Sequence, residues 1–594
     1  MSHPNVNNTG TTTCIEVDVI IPVYNAATTV RDATLSALRQ EIPVGDSQSK
    51  LLRQFLDQYS ISITVCCYED ASNDESLKIL RDIETSDKSE QAESSTITNT
   101  NIKSTTTTTT TTTTTRVIPS RLLVQSSSND IPKGAGYARN RAIELNNPPI
   151  CNNEELSEKP IEKSSDGSEN NKSIIKFICL LDSDDVMHKY RVIEQTLYMI
   201  YNIDEDKRNR TILGSTFDRD PPDSTWHYSN WANNLTDERL MLERYREITI
   251  LQPTWFFSLS IWSMVGGYIE SPQNETDLNK FKSSLAILQR PCIVHPKYDT
   301  ISSLRLAEDL RFFHSHLQSN GFLRVHRKSI ATCTDTKTKL PLVTYRHFNN
   351  DQSQSYRTSR KLLLQLRALA FQQSILRKDP LWNIINNNNN NNKHFVIWGC
   401  GRDGKDFYKS LDSDLQQRVY CFVDVDAKKL NAGYYVDSSS NRVTNQQNKD
   451  DRKKRDSQGK NKNKNKSIDT TTRKIPIVHF SFLIPDQHER RIVQDEWKAD
   501  CESMNDSFLG RIDKSKSGNK SNTATSSPAT KKQKRSSSST ARTITKLHDR
   551  DLDQKLLHQL PVVVCVAMYR TSGVLEKNVS KINRVEGENL WHFS

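Results

Sequence analysis

The run Phe177-Ile178-Cys179-Leu180-Leu181-Asp182-Ser183-Asp184-Asp185 constrains this chain more than any other stretch. Its first five residues are apolar, the composition of a strand buried on both faces. It then breaks into three carboxylates within four residues. Open α/β sheets present their ligands and ions at the carboxyl ends of such strands. Asp182-Ser183-Asp184 therefore reads as a clamp for a hard divalent cation, Mg²⁺ or Mn²⁺, which takes carboxylate oxygens and leaves positions for phosphate. A lone D-x-D is more often a surface turn, so the rest of the chain decides between the two.

Two more strands end in polar punctuation. Val17 to Asn25 reads as a strand stopped by Pro22 and Asn25, and Ile61 to Tyr68 runs into Glu69-Asp70-Ala71-Ser72-Asn73-Asp74. Helical patterns follow each, at Ala26 to Gln40 and at Ser76 to Ile83, the second with Asn73 or Asp74 as cap. Arg121 to Gln125 is a further short strand, and Gly134-Ala135-Gly136-Tyr137-Ala138-Arg139-Asn140-Arg141-Ala142 opens a helix. This alternation predicts an α/β fold around a parallel sheet, with the acidic strand ends gathered on one edge. Further on, Arg219-Asp220-Pro221-Pro222 and Gln252 to Phe257 read as rigid loops. Leu304 to Phe313 reads as one helix carrying Glu308 and Asp309, and Leu342 to His347 as a strand ending in donors. Asp185 reads as the cap of a following helix.

Only 35% of the 594 residues are hydrophobic, too few for a chain that packs throughout. The polar excess is local. Segments at about 86–115, 152–171, 438–473 and 502–546 are expected to be disordered insertions. The domains implied are 15–350, a helical and polar linker at 351–392 holding the Asn386 to Asn392 run, and a small Rossmann-like α/β domain at 393–594. In the last, Gly399-x-Gly401-x-x-Gly404 follows a strand, with Asp424 at the end of the next; tight strand–helix packing is favoured there over dinucleotide binding. The tracts 451–466 and 511–546 carry +6 and +9 against +11 for the whole chain, so the remainder is about −4. These tracts are candidates for nucleic-acid contact, for nuclear import, or for plain solvated chain. No apolar run approaches a membrane span and no leader-like segment opens the chain, while the 11 cysteines show no paired framework. A cytoplasmic protein with possible nuclear access, in no contact with membrane, is expected.

The ordered set of strand-Pro-Val-Tyr-Asn, strand-Glu-Asp-Ala-Ser-Asn-Asp, Gly-x-x-x-Ala-Arg-Asn, strand-Asp-Ser-Asp-Asp and a distal Glu-Asp followed by Tyr-Arg-His resembles the family 2 glycosyltransferases of GT-A fold, over roughly residues 15 to 347. The resemblance implies that Tyr24 and Asp70 meet the base of a UDP-sugar, that Arg139 supports the nucleotide pocket, and that Asp182 faces the ribose. It implies that Asp184 holds Mn²⁺ or Mg²⁺, and that His347 helps hold the metal or the diphosphate. Catalysis would fall to Glu308 and Asp309, with Asp309 the general base and inversion the outcome. Glu69 stands where the family usually carries Asp. Arg219 to Thr225, Pro253 to Phe256 and Leu590 to Ser594 are similar to a branch of the family that modifies tRNA. That narrower resemblance implies UDP-galactose as donor and the queuosine of tyrosine tRNA as acceptor. A UDP-N-acetylglucosamine-dependent transferase acting on a glycan or protein is the alternative, and a non-catalytic nucleic-acid-binding protein a third reading.

Overall fold

The computed structural model describes residues 13–97, 115–128, 130–148, 174–285, 287–288, 291–332, 340–348, 357–382, 394–437, 473–514, 553–567 and 571–593. The expected insertion at 152–171, the Asn run and the basic tract 451–466 lie outside them, as does nearly all of 511–546. The chain divides into two compact units, Met1–Ala370 and Phe371–Ser594. The break falls inside the helix Arg360–Phe371, so the segment read as a linker is shared between the units. Trp382, from its far part, is fully buried and donates its indole N–H to the Glu588 carbonyl at 2.6 Å, within the second unit.

The first unit is built on seven strands: β1 (Thr13–Val23), β2 (Tyr59–Glu69), β3 (Ser120–Ser126), β4 (Ile174–Leu180), β5 (Thr211–Ser215), β6 (Phe256–Ser258) and β7 (Phe322–His326), in spatial order β7-β5-β6-β4-β1-β2-β3. β1 lies between β4 and β2 and pairs in parallel with both. Its interior carries the apolar run Val19 to Val23, buried on both faces, as a central parallel strand requires. The sheet is not wholly parallel. Phe256 and Phe257, read from sequence as loop, form an antiparallel strand between β4 and β5, where the Phe256 ring packs 5.0 Å from Phe177. Two aromatic residues that fill a slot in the sheet core outweigh the turn signal of the preceding Pro253.

Helices α1 (Val30–Leu38), α2 (Ser76–Ile97), α3 (Ala135–Asn146), α4 (Arg191–Tyr201) and α5 (Glu308–Gln318) follow the strands. Two helices run into the first part of segments expected to be disordered. α2 continues to Ile97 rather than ending near Ile83, carried through the start of the Ser/Thr-rich segment by ion pairs such as Lys88 to Glu84 at 3.0 Å. The helix Gln487–Lys514 likewise runs past residue 502. A correction concerns Leu304 to Phe313, which is two helices: Ile301–Leu304 ends, the chain turns at Ala307 with φ of 55°, and α5 starts at Glu308. A separate three-stranded sheet joins Phe217–Asp220, whose last two residues are read from sequence as loop, to Val343–Arg346 and Val186–Met187.

The second unit holds β8 (Phe395–Trp398), β9 (Val419–Asp424), β10 (Tyr434–Val436), β11 (Lys474–His479), β12 (Val562–Val564) and β13 (Leu590–His592), in spatial order β10-β11-β9-β8-β12-β13. All neighbours are parallel except β10 on β11. The five parallel strands thus run 3-2-1-4-5, a doubly wound order. Gly399 and Gly404 serve the packing of α6 (Arg402–Ser410): a Cβ at Gly404 would stand 1.8 Å from the Gly399 carbonyl oxygen, whereas a Cβ at Gly401 would meet nothing within 4 Å. Asp424 is committed internally, accepting from the Cys400 N–H at 2.7 Å and from Lys429 Nζ at 2.8 Å. The aromatic tail is docked, since β13 extends the sheet alongside β12.

Candidate active site

The carboxyl ends of β1 and β2 are sewn into one rim by short polar side chains. The Asn25 N–H donates to Ser72 Oγ at 2.9 Å, the Asn73 N–H to Asn25 Oδ1 at 3.0 Å, and the Ala27 N–H to Asp74 Oδ2 at 3.0 Å. Asp74 also accepts from the Ser76 N–H at the start of α2. Glu69, buried, accepts from the Ser72 N–H. It therefore closes its own turn and is taken up in architecture. Asp70 is 1% exposed; its Oδ2 accepts from the N–H groups of Lys133 and Gly134 at 2.8 and 2.7 Å, while its Oδ1 is buried with no partner. Burial pushes its carboxyl above the usual range, with those two backbone donors opposing. Tyr24 stands on the same rim, 44% exposed.

Beyond β4 the chain turns and brings Asp182, Asp184 and Asp185 together, one carboxylate oxygen of each within 4.8 Å of the others. Burial, and then the charge of Asp182, pushes Asp184 up to about 7. Asp185 is fully buried and is pushed well above its ordinary range, again through burial first and then Asp184. The expectation that Asp185 caps a helix is not met, because its Oδ1 accepts from the Arg346 N–H at 2.9 Å and the next helix, α4, starts only at Arg191. Its Oδ2 is buried without a partner. An orphaned carboxylate oxygen beside two others is the donor set a hard divalent cation takes.

Arg139, on α3, links this cluster to α5. Its Nη2 donates to Asp182 at 2.6 Å and its Nη1 to Glu308 at 2.7 Å, and the guanidinium lies 5.6 Å from the Tyr268 ring centroid. Burial lowers it, but the two carboxylates overcome this and hold it above its ordinary range. The fork is thus spent on two protein acids. Gly136 lets the helices meet: a Cβ there would stand 3.2 Å from the Cβ atoms of Glu308 and Tyr268. Asn140, one residue on from Arg139, fixes the turn beneath it by accepting from the Tyr268 N–H at 2.9 Å and donating to the Tyr268 carbonyl at 3.0 Å.

Asp309 lies in the first turn of α5, half-buried, accepting from the Leu310 N–H at 2.7 Å. Burial, and then the charge of Glu308, pushes it up to about 7. The element is pinned from behind by Arg311 and Asp299, each about 1% exposed and paired at 2.6 Å. Arg311 also donates to the Ile293 and Ser303 carbonyls, tying the segment before α5 to the helix. Such a buried pair with its donors used can be held without a large desolvation penalty. His347 follows the strand Val343–Arg346 and is held there by its N–H to the Asp220 carbonyl at 2.8 Å. Asn140, Tyr268 and the Arg311–Asp299 pair carry no signal in isolation; only Asn140, beside Arg139 in a glycine-opened helix, was findable from its neighbours.

No protein-family model matches the chain. Three solved structures of S. aureus TarS resemble it at 12% identity, each over 68% of this chain, with TM-scores of 0.30, 0.28 and 0.26. The second holds UDP. The chain spans half the length of the first and 83% of the other two. At these values the likeness assigns no chemistry, which rests on the chain's own geometry.

Proposed function

We propose that the first unit is an inverting glycosyltransferase of GT-A type that uses a UDP-sugar, and more narrowly that it moves galactose from UDP-galactose to a cyclopentenediol hydroxyl of queuosine in the anticodon of tyrosine tRNA. The observation that carries the enzymatic reading is the link, through Arg139, between a cluster of three acids and a helix turn bearing an Asp titrating near 7. Perturbed carboxyls gathered in this way are the mark of a working site rather than a solvated turn. Asp184, with Asp182 and Asp185 beside it, would hold Mg²⁺ or Mn²⁺; a bound ion of this kind offsets the charge that grows on the leaving diphosphate. Asp70 would offer its partnerless Oδ1 to the uracil, with Tyr24 alongside.

Asp309, ionised, accepts the proton of the acceptor hydroxyl as that oxygen attacks the anomeric carbon. The bond from that carbon to the diphosphate oxygen breaks on the opposite face, so configuration inverts and no enzyme nucleophile is required. Glu308, held by Arg139, lies beside Asp309 and raises its affinity for that proton. The galactose and tRNA assignments rest on the resemblance of Arg219 to Thr225, Pro253 to Phe256 and Leu590 to Ser594 to the tRNA-modifying branch. Mass spectrometry of tyrosine-tRNA nucleosides, with and without the gene in a queuosine-making cell, tests them. A hexose on queuosine that vanishes with the gene is expected. Its persistence would remove tRNA as the acceptor, and a panel of UDP-sugars showing no hydrolysis would remove the transferase reading altogether.

A further inference from the structure

Arg219 has no role in the scheme above, and its surroundings are unusual for a cation. It lies on Phe217–Asp220, in register with Tyr345 on Val343–Arg346, the strand that also pairs with Val186–Met187 directly after the acid cluster. Its guanidinium is 4.3 Å from the Tyr345 ring centroid and 5.6 Å from that of Phe217. Nε and Nη1 are buried without a hydrogen-bond partner. Burial pushes the group down, with Tyr345, Tyr228 and Asp185 opposing. The other guanidiniums whose charge reaches the cluster each hold charged or carbonyl partners, although Arg139 Nε and Arg191 Nη1 are also buried without one: Arg139 pairs with Asp182 and Glu308, Arg346 with Asp32 at 3.0 Å, and Arg191 donates to the Leu180 carbonyl at 2.9 Å and to Gln195. A half-buried cation that feels the charge of Asp185 but has no ion pair with it carries an uncompensated desolvation cost, which an anion arriving from outside would offset. A planar guanidinium, braced on an aromatic face so that little freedom is lost on binding, suits phosphate oxygens.

We propose that Arg219 binds the diphosphate of the donor and stabilises it as leaving group. This rests on the transferase reading. The role makes Arg219 a catalytic residue: it touches the group whose bond to the sugar breaks, and its positive charge meets the electron pair that remains on the diphosphate oxygen. The experiment is calorimetric binding of UDP and of uridine, each with Mg²⁺, to the full chain and to Arg219→Gln. The expected result is a loss of UDP affinity of about 10- to 100-fold, with uridine affinity unchanged within about twofold. Equal losses for both ligands, or no loss for UDP, would overturn the assignment of Arg219 alone. A wild-type chain that binds neither would overturn the transferase reading and this one with it. If Arg219→Gln does not fold, Arg219→Lys keeps the charge but not the stacked fork, and about a 3- to 10-fold loss confined to UDP is expected.

Discussion

Asp184 and Asp309 are raised to about 7 by the same pair of causes, burial first and a neighbouring acid second. If Asp309 is the base, as proposed, this sets the direction of the pH profile: a base must be unprotonated, so transfer should rise with pH through about 7 and fall away below it. Stability runs the other way. Each carboxyl ionises near 7 when folded and near 3.9 when unfolded, so the unfolded chain binds fewer protons between those values and the fold weakens as pH rises through that window. Asp309→Asn should therefore abolish transfer, leave UDP binding in place, and raise the melting temperature at pH 8 but not at pH 4; a scanning-fluorimetry pH series reads this directly. Arg139→Met has the opposite sign. It leaves Asp182 and Glu308 without their shared partner in a largely buried setting, at a cost of about 3 kcal/mol in denaturant unfolding.

At the scale of elements, the site depends on how closely α3 and α5 approach. Gly136→Ala would place a methyl 3.2 Å from Glu308 and Tyr268, neither of which can yield freely while Arg139 and Asn140 hold them. The expected outcome is a fall in turnover of about tenfold with a stability cost of about 1 kcal/mol, separable by kinetics and chemical denaturation. Strands buried on both faces are legible from sequence, because the apolar runs Val19 to Val23 and Phe177 to Leu181 have no other place to go. The acids at their ends were legible for the same reason. The break before Glu308 was not, since an Ala at φ 55° gives no compositional sign. Nor was β6, whose strand character comes from a vacancy between β4 and β5 rather than from its own three residues. Arg139 was singled out, but its partners come from residues 43 and 169 positions away, which spacing along the chain does not reveal.

At the scale of the molecule, two units carry different kinds of evidence. The first gathers perturbed acids; the second has glycines that pack and an Asp424 already satisfied by Cys400 and Lys429. Among the described residues no helix is long and apolar enough to cross a membrane. The excess positive charge sits in 451–466 and 511–546. If those tracts touch tRNA phosphates, deleting both should flatten the dependence of tRNA affinity on salt while leaving UDP-sugar hydrolysis unchanged, as filter binding across a salt series and a coupled UDP-release assay would report.

The two oxygens of Asp70 lead separate lives, one closing the turn at Lys133 and Gly134, the other buried and unanswered. A carboxamide at this position could keep the closure with its carbonyl and turn its NH₂ toward the pocket, reversing hydrogen-bond polarity at a single atom. Uracil offers an N–H where cytosine offers a bare nitrogen. If Asp70 meets the base as proposed, Asp70→Asn should accordingly exchange a preference for UDP for one toward CDP in competition binding, making the choice of pyrimidine a property of one atom that can be rewritten without disturbing the turn that carries it.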